Sequence, residues 1–303
     1  MPWYGRRSTA CEPADPSTPA EVRQSAAVET FRRDGLTFDV RDGGPPAGDP
    51  VVLLHGFPQD STAWLGVEPL LHRNGLRTLA LDQRGYSPGA RPQGRRAYRL
   101  SETVADVLAL LDATGLGSAH IVGHDWGAAV GWALAAWHPE RVRTFTALSV
   151  PHPGAMLRAM VTSDQALRSY YIGLFQLPVV PERLILASDA TPLRRGLSRG
   201  GLPDDAVERY ASRMSEPGAL TGALGWYRAM PWSARQTVGR VRVPTLHLWS
   251  TEDAFLGRAA TEDTARFVDA PYRLEVLQGV SHWIPELAPE VVADLVTAHT
   301  RTV

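Results

Sequence analysis

Asp125 stands between two glycines in Gly123-His124-Asp125-Trp126-Gly127, directly after an apolar run and at the start of a helix-like stretch. A chain that turns sharply from strand to helix needs positions without a bulky Cβ, and the helix must pack closely on the strand. The pattern is that of a nucleophile elbow, which lifts its central side chain above the sheet edge. The N-terminus of the following helix stabilises negative charge there. A serine at this position would attack carbonyl carbon. A carboxylate suits displacement at a saturated carbon bearing a leaving group, and the product is an alkyl ester of the protein. The plain structural alternative is an aspartate that only caps the helix.

Three further segments fall in register with this turn. His55-Gly56-Phe57-Pro58 follows the apolar run Val51–Leu54. The backbone N–H groups of Phe57 and Trp126 are there expected to form an oxyanion hole for the anion produced when water attacks the ester. Ser281-His282-Trp283 follows the last strand-like run, and Thr251-Glu252-Asp253 follows Thr245–Trp249. The chain order is nucleophile, acid, histidine, so Asp125, Asp253 and His282 are expected to form a triad, with Glu252 as the alternative acid. Pro151-His152-Pro153, after Phe145–Val150, offers no carboxylate.

The elements that position these residues alternate. Glu29–Arg33 and Leu36–Arg41 read as short strands around an Asp34-Gly35 turn. Val51–Leu54, Thr78–Leu81, His120–Val122 and Phe145–Val150 read as strands, separated by helix-like stretches at Thr62–Asn74, Leu100–Thr114 and from the elbow to Trp137. Ser101 is the expected N-cap of the second stretch. The alternation stops at Pro151. Residues 151–237 are helical in pattern, rich in Arg and aromatics. It resumes with the strand Thr245–Trp249, a helix near Thr261–Phe267, the strand Arg273–Leu277 and a last helix from Glu286. This predicts an α/β fold: a mostly parallel sheet flanked by helices, formed by residues 28–150 and 238–303, with an α-helical cap inserted at 151–237. Residues 1–27 read as a disordered tail.

From about residue 28 to 300 the chain resembles the epoxide hydrolases of the α/β-hydrolase superfamily. The resemblance is carried by His55–Pro58, Asp82-Gln83-Arg84-Gly85-Tyr86-Ser87, Gly123–Gly127, Asp253 and His282. Haloalkane dehalogenases share this core, and the cap separates the two. Epoxide opening releases an alkoxide, which needs a proton donor. Epoxide hydrolases use two cap tyrosines, and Tyr171-Ile172-Gly173-Leu174-Phe175-Gln176-Leu177-Pro178 and Trp226-Tyr227-Arg228-Ala229-Met230-Pro231 resemble the segments that hold them. The resemblance therefore implies Tyr171 and Tyr227, with Tyr170 as the rival to Tyr171. It implies conversion of epoxides to vicinal diols. A dehalogenase would hold the halide with donors such as Trp126 and an Asn in the oxyanion turn, where this chain has Phe57. The other rival is a silent hydrolase fold that binds a ligand. Asp82–Ser87 reads as structural.

Composition excludes other classes. All 31 basic residues of the 303 are arginine, so Schiff-base and P-loop lysines are ruled out. A net charge of −1 gives no nucleic-acid or anionic-membrane surface. The apolar runs are too short to cross a bilayer. One cysteine, Cys11, precludes an internal disulfide, and Arg6-Arg7 is followed by no apolar stretch, so a cytoplasmic protein is expected. No metal motif and no Gly-x-Gly-x-x-Gly occurs, so neither metal nor cofactor is expected. The expected partners are a small-molecule epoxide and water; a homo-oligomer is compatible with the sequence.

Overall fold

The computed structural model describes residue 1 and residues 27–303. The remainder of the expected tail, with Arg6-Arg7 and Cys11, lies outside the described residues. Eight strands form one sheet: β1 (Thr30–Arg33), β2 (Leu36–Gly43), β3 (Asp49–Leu54), β4 (Leu76–Leu81), β5 (Ala119–His124), β6 (Val142–Leu148), β7 (Thr245–Ser250) and β8 (Tyr272–Leu277). Their order is β1-β2-β4-β3-β5-β6-β7-β8. β1–β2 and β2–β4 pair antiparallel, and every later pair is parallel. Every residue of β4, β5 and β7 is buried, as a parallel sheet covered on both faces requires.

Thirteen α-helices are described: α1 (Glu68–Arg73), α2 (Leu100–Ala113), α3 (Trp126–Trp137), α4 (Pro153–Thr162), α5 (Gln165–Arg168), α6 (Tyr171–Phe175), α7 (Val180–Ile185), α8 (Ala187–Arg199), α9 (Asp204–Ser215), α10 (Ala219–Ser233), α11 (Arg258–Asp263), α12 (Ile284–Leu287) and α13 (Pro289–Thr300). α2 and α3 share one apolar cluster with β1, β2 and α10. Trp64, Leu71, Val292 and Val296, from the α1 and α13 side, fill the other, with Val51, Leu53 and Leu246 from the sheet. α4 to α10 occupy the chain between β6 and β7. This helical insert is tied to the core by an ion pair from Arg213 to Asp82 at 2.8 Å and by the Trp226 indole donating to the Arg84 carbonyl at 2.7 Å. No helix among the described residues is long and apolar enough to cross a membrane.

Several local expectations need correction. Thr62–Asn74 is not one helix but a 3-10 turn, Ser61–Trp64, followed by α1. Asp60 caps the first piece by accepting from Thr62 N, and Gly66 between the pieces lies against Pro289. Ser101 is not an N-cap, because α2 begins one residue earlier, at Leu100. Its first amides are satisfied from far along the chain: Leu100 N donates to Ser233 Oγ at 3.0 Å and Ser101 N to Gln236 Oε1 at 3.2 Å. The helix near Thr261–Phe267 begins at Arg258 and tightens to a 3-10 turn from Thr264. The last helix divides at Ala288 into α12 and α13, with Pro289 opening the second.

Candidate active site

The elbow is formed where β5 runs into α3. Asp125 sits there at φ 50° and ψ −120°, a conformation that L residues seldom adopt. Such strain persists only where the surroundings fix it. Two glycines show how tightly they do. A Cβ on Gly127 would lie 2.1 Å from the Leu54 carbonyl oxygen, and one on Gly56 would lie 2.3 Å from Asp125 Cβ. The loop after β3 therefore runs directly against the elbow. This brings Phe57 N to 2.8 Å from Asp125 Oδ1, to which it donates. Trp126, the other expected oxyanion amide, is the first residue of α3, and its ring packs edge-on to Tyr227 at 5.0 Å.

His282 lies in the loop between β8 and α12, and Asp253 in the loop after β7. His282 Nδ1 is 2.8 Å from Asp253 Oδ2, and His282 Nε2 is 3.6 Å from Asp125 Oδ2. The other Asp253 oxygen accepts from Phe255 N and Leu256 N at 2.8 and 2.9 Å, which fixes the carboxylate's orientation. Glu252, the alternative acid, is exposed.

Burial lowers the pKa of His282, but Asp253 and Asp125 beside it more than reverse this and bring it to about 10. Burial raises that of Asp125, yet its hydrogen bond and charge interaction with His282, the His124 ring and the Phe57 amide hold it below the usual carboxylate range. Both shifts favour the ion pair, an Asp125 carboxylate beside a His282 imidazolium.

Tyr171 and Tyr227 come from α6 and α10 and face each other with ring centroids 6.0 Å apart. Tyr170 is 77% exposed, whereas Tyr171 packs on Phe175, Phe255 and Tyr227. Burial and the nearby negative charge of Asp125 push both phenols well above their ordinary range; for Tyr227 the presence of Tyr171 adds to this. The phenols thus stand in the field of the Asp125 carboxylate, on the helical insert between β6 and β7. Asp82 and Arg84, of the segment read as structural, are engaged in ion pairs with Arg213 and Asp106.

Three residues near the site escaped the reading of the sequence. Phe255 packs against both His282, at 5.1 Å, and Tyr171, at 5.8 Å. It also lines a pocket of about 450 Å³, with Arg199, Glu252, Ser281, His282 and Trp283, that opens beside α8. Gln59 and Glu286 are bonded to each other at 2.6 Å, and Gln59 reaches the His124 ring next to Asp125 in sequence. The available signals were slight: Phe255 follows Asp253 by two residues, and Glu286 follows His282 by one helical turn. Among the described residues no cluster of three or more His, Cys, Asp or Glu could hold a metal ion.

A sharp strand-to-helix turn bearing Asp125 on a mostly parallel sheet, with Asp253 and His282 delivered by later loops, defines a class. The chain belongs to the alpha/beta hydrolase fold family, whose pattern matches residues 49–289. Within it, the chain is 32% identical over 306 residues to Epoxide hydrolase A of Mycobacterium tuberculosis, covering 86% of this chain and 94% of that protein. It is 34% identical over 275 residues to an AB hydrolase superfamily protein of Bacillus subtilis, covering 88% and 96% of the two chains. The crystal structure of Epoxide Hydrolase A from Mycobacterium thermoresistibile superposes with a TM-score of 0.79 at 27% identity, covering 90% of this chain and 97% of that one.

Proposed function

We propose that this protein hydrolyses epoxides to vicinal diols through an ester on Asp125, with residues 151–237 acting as the cap over a core of residues 28–150 and 238–303. The observation that carries this reading is the pair of facing phenols, half-buried Tyr171 and buried Tyr227, set on the insert in the field of an ionised Asp125. Both stay protonated at neutral pH, so both can donate to an epoxide oxygen. Asp125 attacks one ring carbon, the C–O bond breaks, and a tyrosine supplies the proton that the departing alkoxide requires.

Esterification removes the charge of Asp125. One of the two carboxylates that raise the His282 pKa is then neutral, so His282 binds its proton less tightly and returns it to the tyrosinate that ring opening left. The neutral imidazole, still held by Asp253, takes a proton from water, and the hydroxide attacks the Asp125 ester carbonyl. The Phe57 amide, already directed at Asp125 Oδ1, and the Trp126 amide stabilise the resulting oxyanion. Collapse expels the alkoxide, which takes the proton of the new Asp125 carboxyl, so the diol leaves, the carboxylate is restored and His282 is again protonated. The pocket beside α8 reaches His282, and Phe255, which lines it, also packs on Tyr171.

The epoxide relatives named above lend support to this assignment, as does Phe57, whose side chain offers a halide no donor. The test is a hydrolysis screen of styrene oxide, alkyl epoxides and fatty-acid epoxides beside haloalkanes. Diol formation without halide release is expected. Halide release with no epoxide turnover would make the protein a dehalogenase, and ligand binding without turnover of either would make it a silent member of the fold.

A further inference from the structure

Behind the triad, a chain of polar groups links the insert to three parts of the site. Tyr210 of α9 donates its hydroxyl to Glu286 Oε1 at 2.7 Å. Gln59 Nε2 donates to the same oxygen at 2.6 Å. Gln59 Oε1 accepts from Gly56 N at 3.2 Å and lies 2.8 Å from His124 Nδ1. His124 Nε2 lies 2.9 Å from the carbonyl oxygen of His282. Gln59 and His124 are fully buried, and Glu286 Oε2 is buried with no partner.

The proton count in this chain does not close. Both nitrogens of His124 face oxygen acceptors, yet a neutral imidazole carries one N–H. With Gln59 oriented as above, that proton must lie on Nδ1, and the bare Nε2 then faces the lone pairs of the His282 carbonyl. Turning the Gln59 amide by half a rotation removes the conflict there. Its NH2 then donates to His124 Nδ1, the ring proton moves to Nε2, and Nε2–H donates to the His282 carbonyl. The Gln59 oxygen now faces Glu286, which can donate only if it is protonated, and the Gly56 amide loses its partner.

We propose, on the reading of the site given above, that Glu286 is a positioning residue: whether its carboxyl holds a proton decides which way the Gln59 amide faces and hence whether His124 donates to Gln59 or to the His282 carbonyl. The ionised state anchors the oxyanion loop at Gly56, next to the Phe57 amide. The protonated state anchors the backbone of the catalytic histidine, where Ser149 Oγ also donates at 3.1 Å. No covalent bond other than O–H and N–H changes; one proton enters from solvent onto Glu286, and the His124 proton exchanges from Nδ1 to Nε2.

The surroundings allow such a switch in the neutral range. Burial brings the Glu286 carboxyl up to about 7, against the hydrogen bonds from Tyr210 and Gln59 and the charge of His282, which pull it down. Burial holds His124 at about 3, with His282 also lowering it and Asp125 and Asp253 opposing, so its ring stays neutral while its tautomer changes. Tyr210, facing Glu286 from α9 and in the field of Asp60, is pushed well above its usual range by burial and remains a donor throughout.

Nitrogen NMR of the imidazole rings tests this without any substrate, so its outcome is independent of the epoxide assignment, whose failure would show as absence of epoxide turnover by the parent. The ring signals of His124, one of nine histidines, are assigned by their loss in His124→Asn. Between about pH 5 and 9, the parent is expected to pass from the Nε2–H to the Nδ1–H tautomer. Glu286→Gln, whose amide does not titrate, should hold His124 in one tautomer throughout. Tyr210→Phe removes a donor that stabilises the carboxylate, so the same transition should move to higher pH. In single turnover, ester hydrolysis by the parent should change over this range, and Glu286→Gln should flatten that change. A single His124 tautomer at all pH values in the parent, or a transition shared unaltered by Glu286→Gln, would overturn the switch. Coincident pH profiles of ester hydrolysis in the parent and Glu286→Gln would overturn the positioning role.

Discussion

Asp125, His282 and the two tyrosines divide the proposed reaction into halves that separate variants can isolate. Alkylation needs Asp125 and a phenol but takes no proton from water. His282→Gln should therefore still open the epoxide while slowing ester hydrolysis by about 10²-fold or more, and mass spectrometry should find the substrate on the Asp125 peptide. An absent adduct with near-parental turnover would remove His282 from the mechanism. The phenols share one oxygen, so each partly replaces the other. Tyr171→Phe or Tyr227→Phe alone should slow alkylation, and the pair should lower it by about 10²–10⁴-fold, more than either single change. Phe keeps the rings that pack on Phe175 and Phe57, so circular dichroism should be unaltered. A folded double variant that opens epoxides at the parental rate would reduce both tyrosines to packing.

At the scale of elements, the close approach of α3 to β3 is what presents Asp125. Gly127→Ala puts a Cβ 2.1 Å from the Leu54 carbonyl, where backbone rather than a flexible side chain must move. Urea denaturation should show a loss on the order of 3 kcal/mol or more, or no folded protein; an unaltered midpoint would mean that the junction is looser than its geometry implies. Ser233 at the end of α10 caps α2 from across the chain, and Ser233→Ala should cost about 1 kcal/mol. The contrast between these sites shows what the sequence makes legible. The strand–helix alternation and the sharp turn at Asp125 are written in residue type and local spacing, and in the fold Asp125, Asp253 and His282 come together in the order the sequence suggested. The cap of α2 is supplied by residues more than 130 positions away, and nothing near Ser101 announces it. Local pattern could not choose between Tyr170 and Tyr171 either; packing against Phe175, Phe255 and Tyr227 turns only Tyr171 inward. Gln59 and Glu286 were missed for the same reason, because their partners are distant in sequence.

The whole molecule carries a pH dependence set by its buried histidines. Burial lowers the pKa of His120, His152 and His247 to about 4 and that of His124 to about 3. Each is neutral in the folded chain and more readily protonated when unfolded. A lowered base contributes stability that is complete above its unfolded value, near 6.5, and lost as pH falls towards the folded value. His282 has the opposite sign: its pKa of about 10 contributes fully below the unfolded value and is lost as pH rises through the folded one. Burial also lowers His55, His72 and His299, so seven lowered histidines stand against the raised His282 and against Glu286, whose carboxyl at about 7 gains stability as pH falls; the balance predicts a steeper loss in acid than in mild alkali. Thermal unfolding at pH 5 should occur roughly 10 °C below that at neutral pH. Equal Tm values at the two pH values would mean that these rings are more open to water than their burial indicates.

The ester on Asp125 is the claim on which the rest depends, and the origin of one oxygen atom tests it. If Asp125 attacks the epoxide, the oxygen added to the ring carbon in the first turnover comes from its carboxylate. A single-turnover reaction with excess protein in heavy-oxygen water should then give unlabelled diol and leave the label on Asp125, with labelled diol following only on later turnovers. Diol labelled in the first turnover, with none on Asp125, would mean that water attacks the epoxide directly and would contradict the ester mechanism.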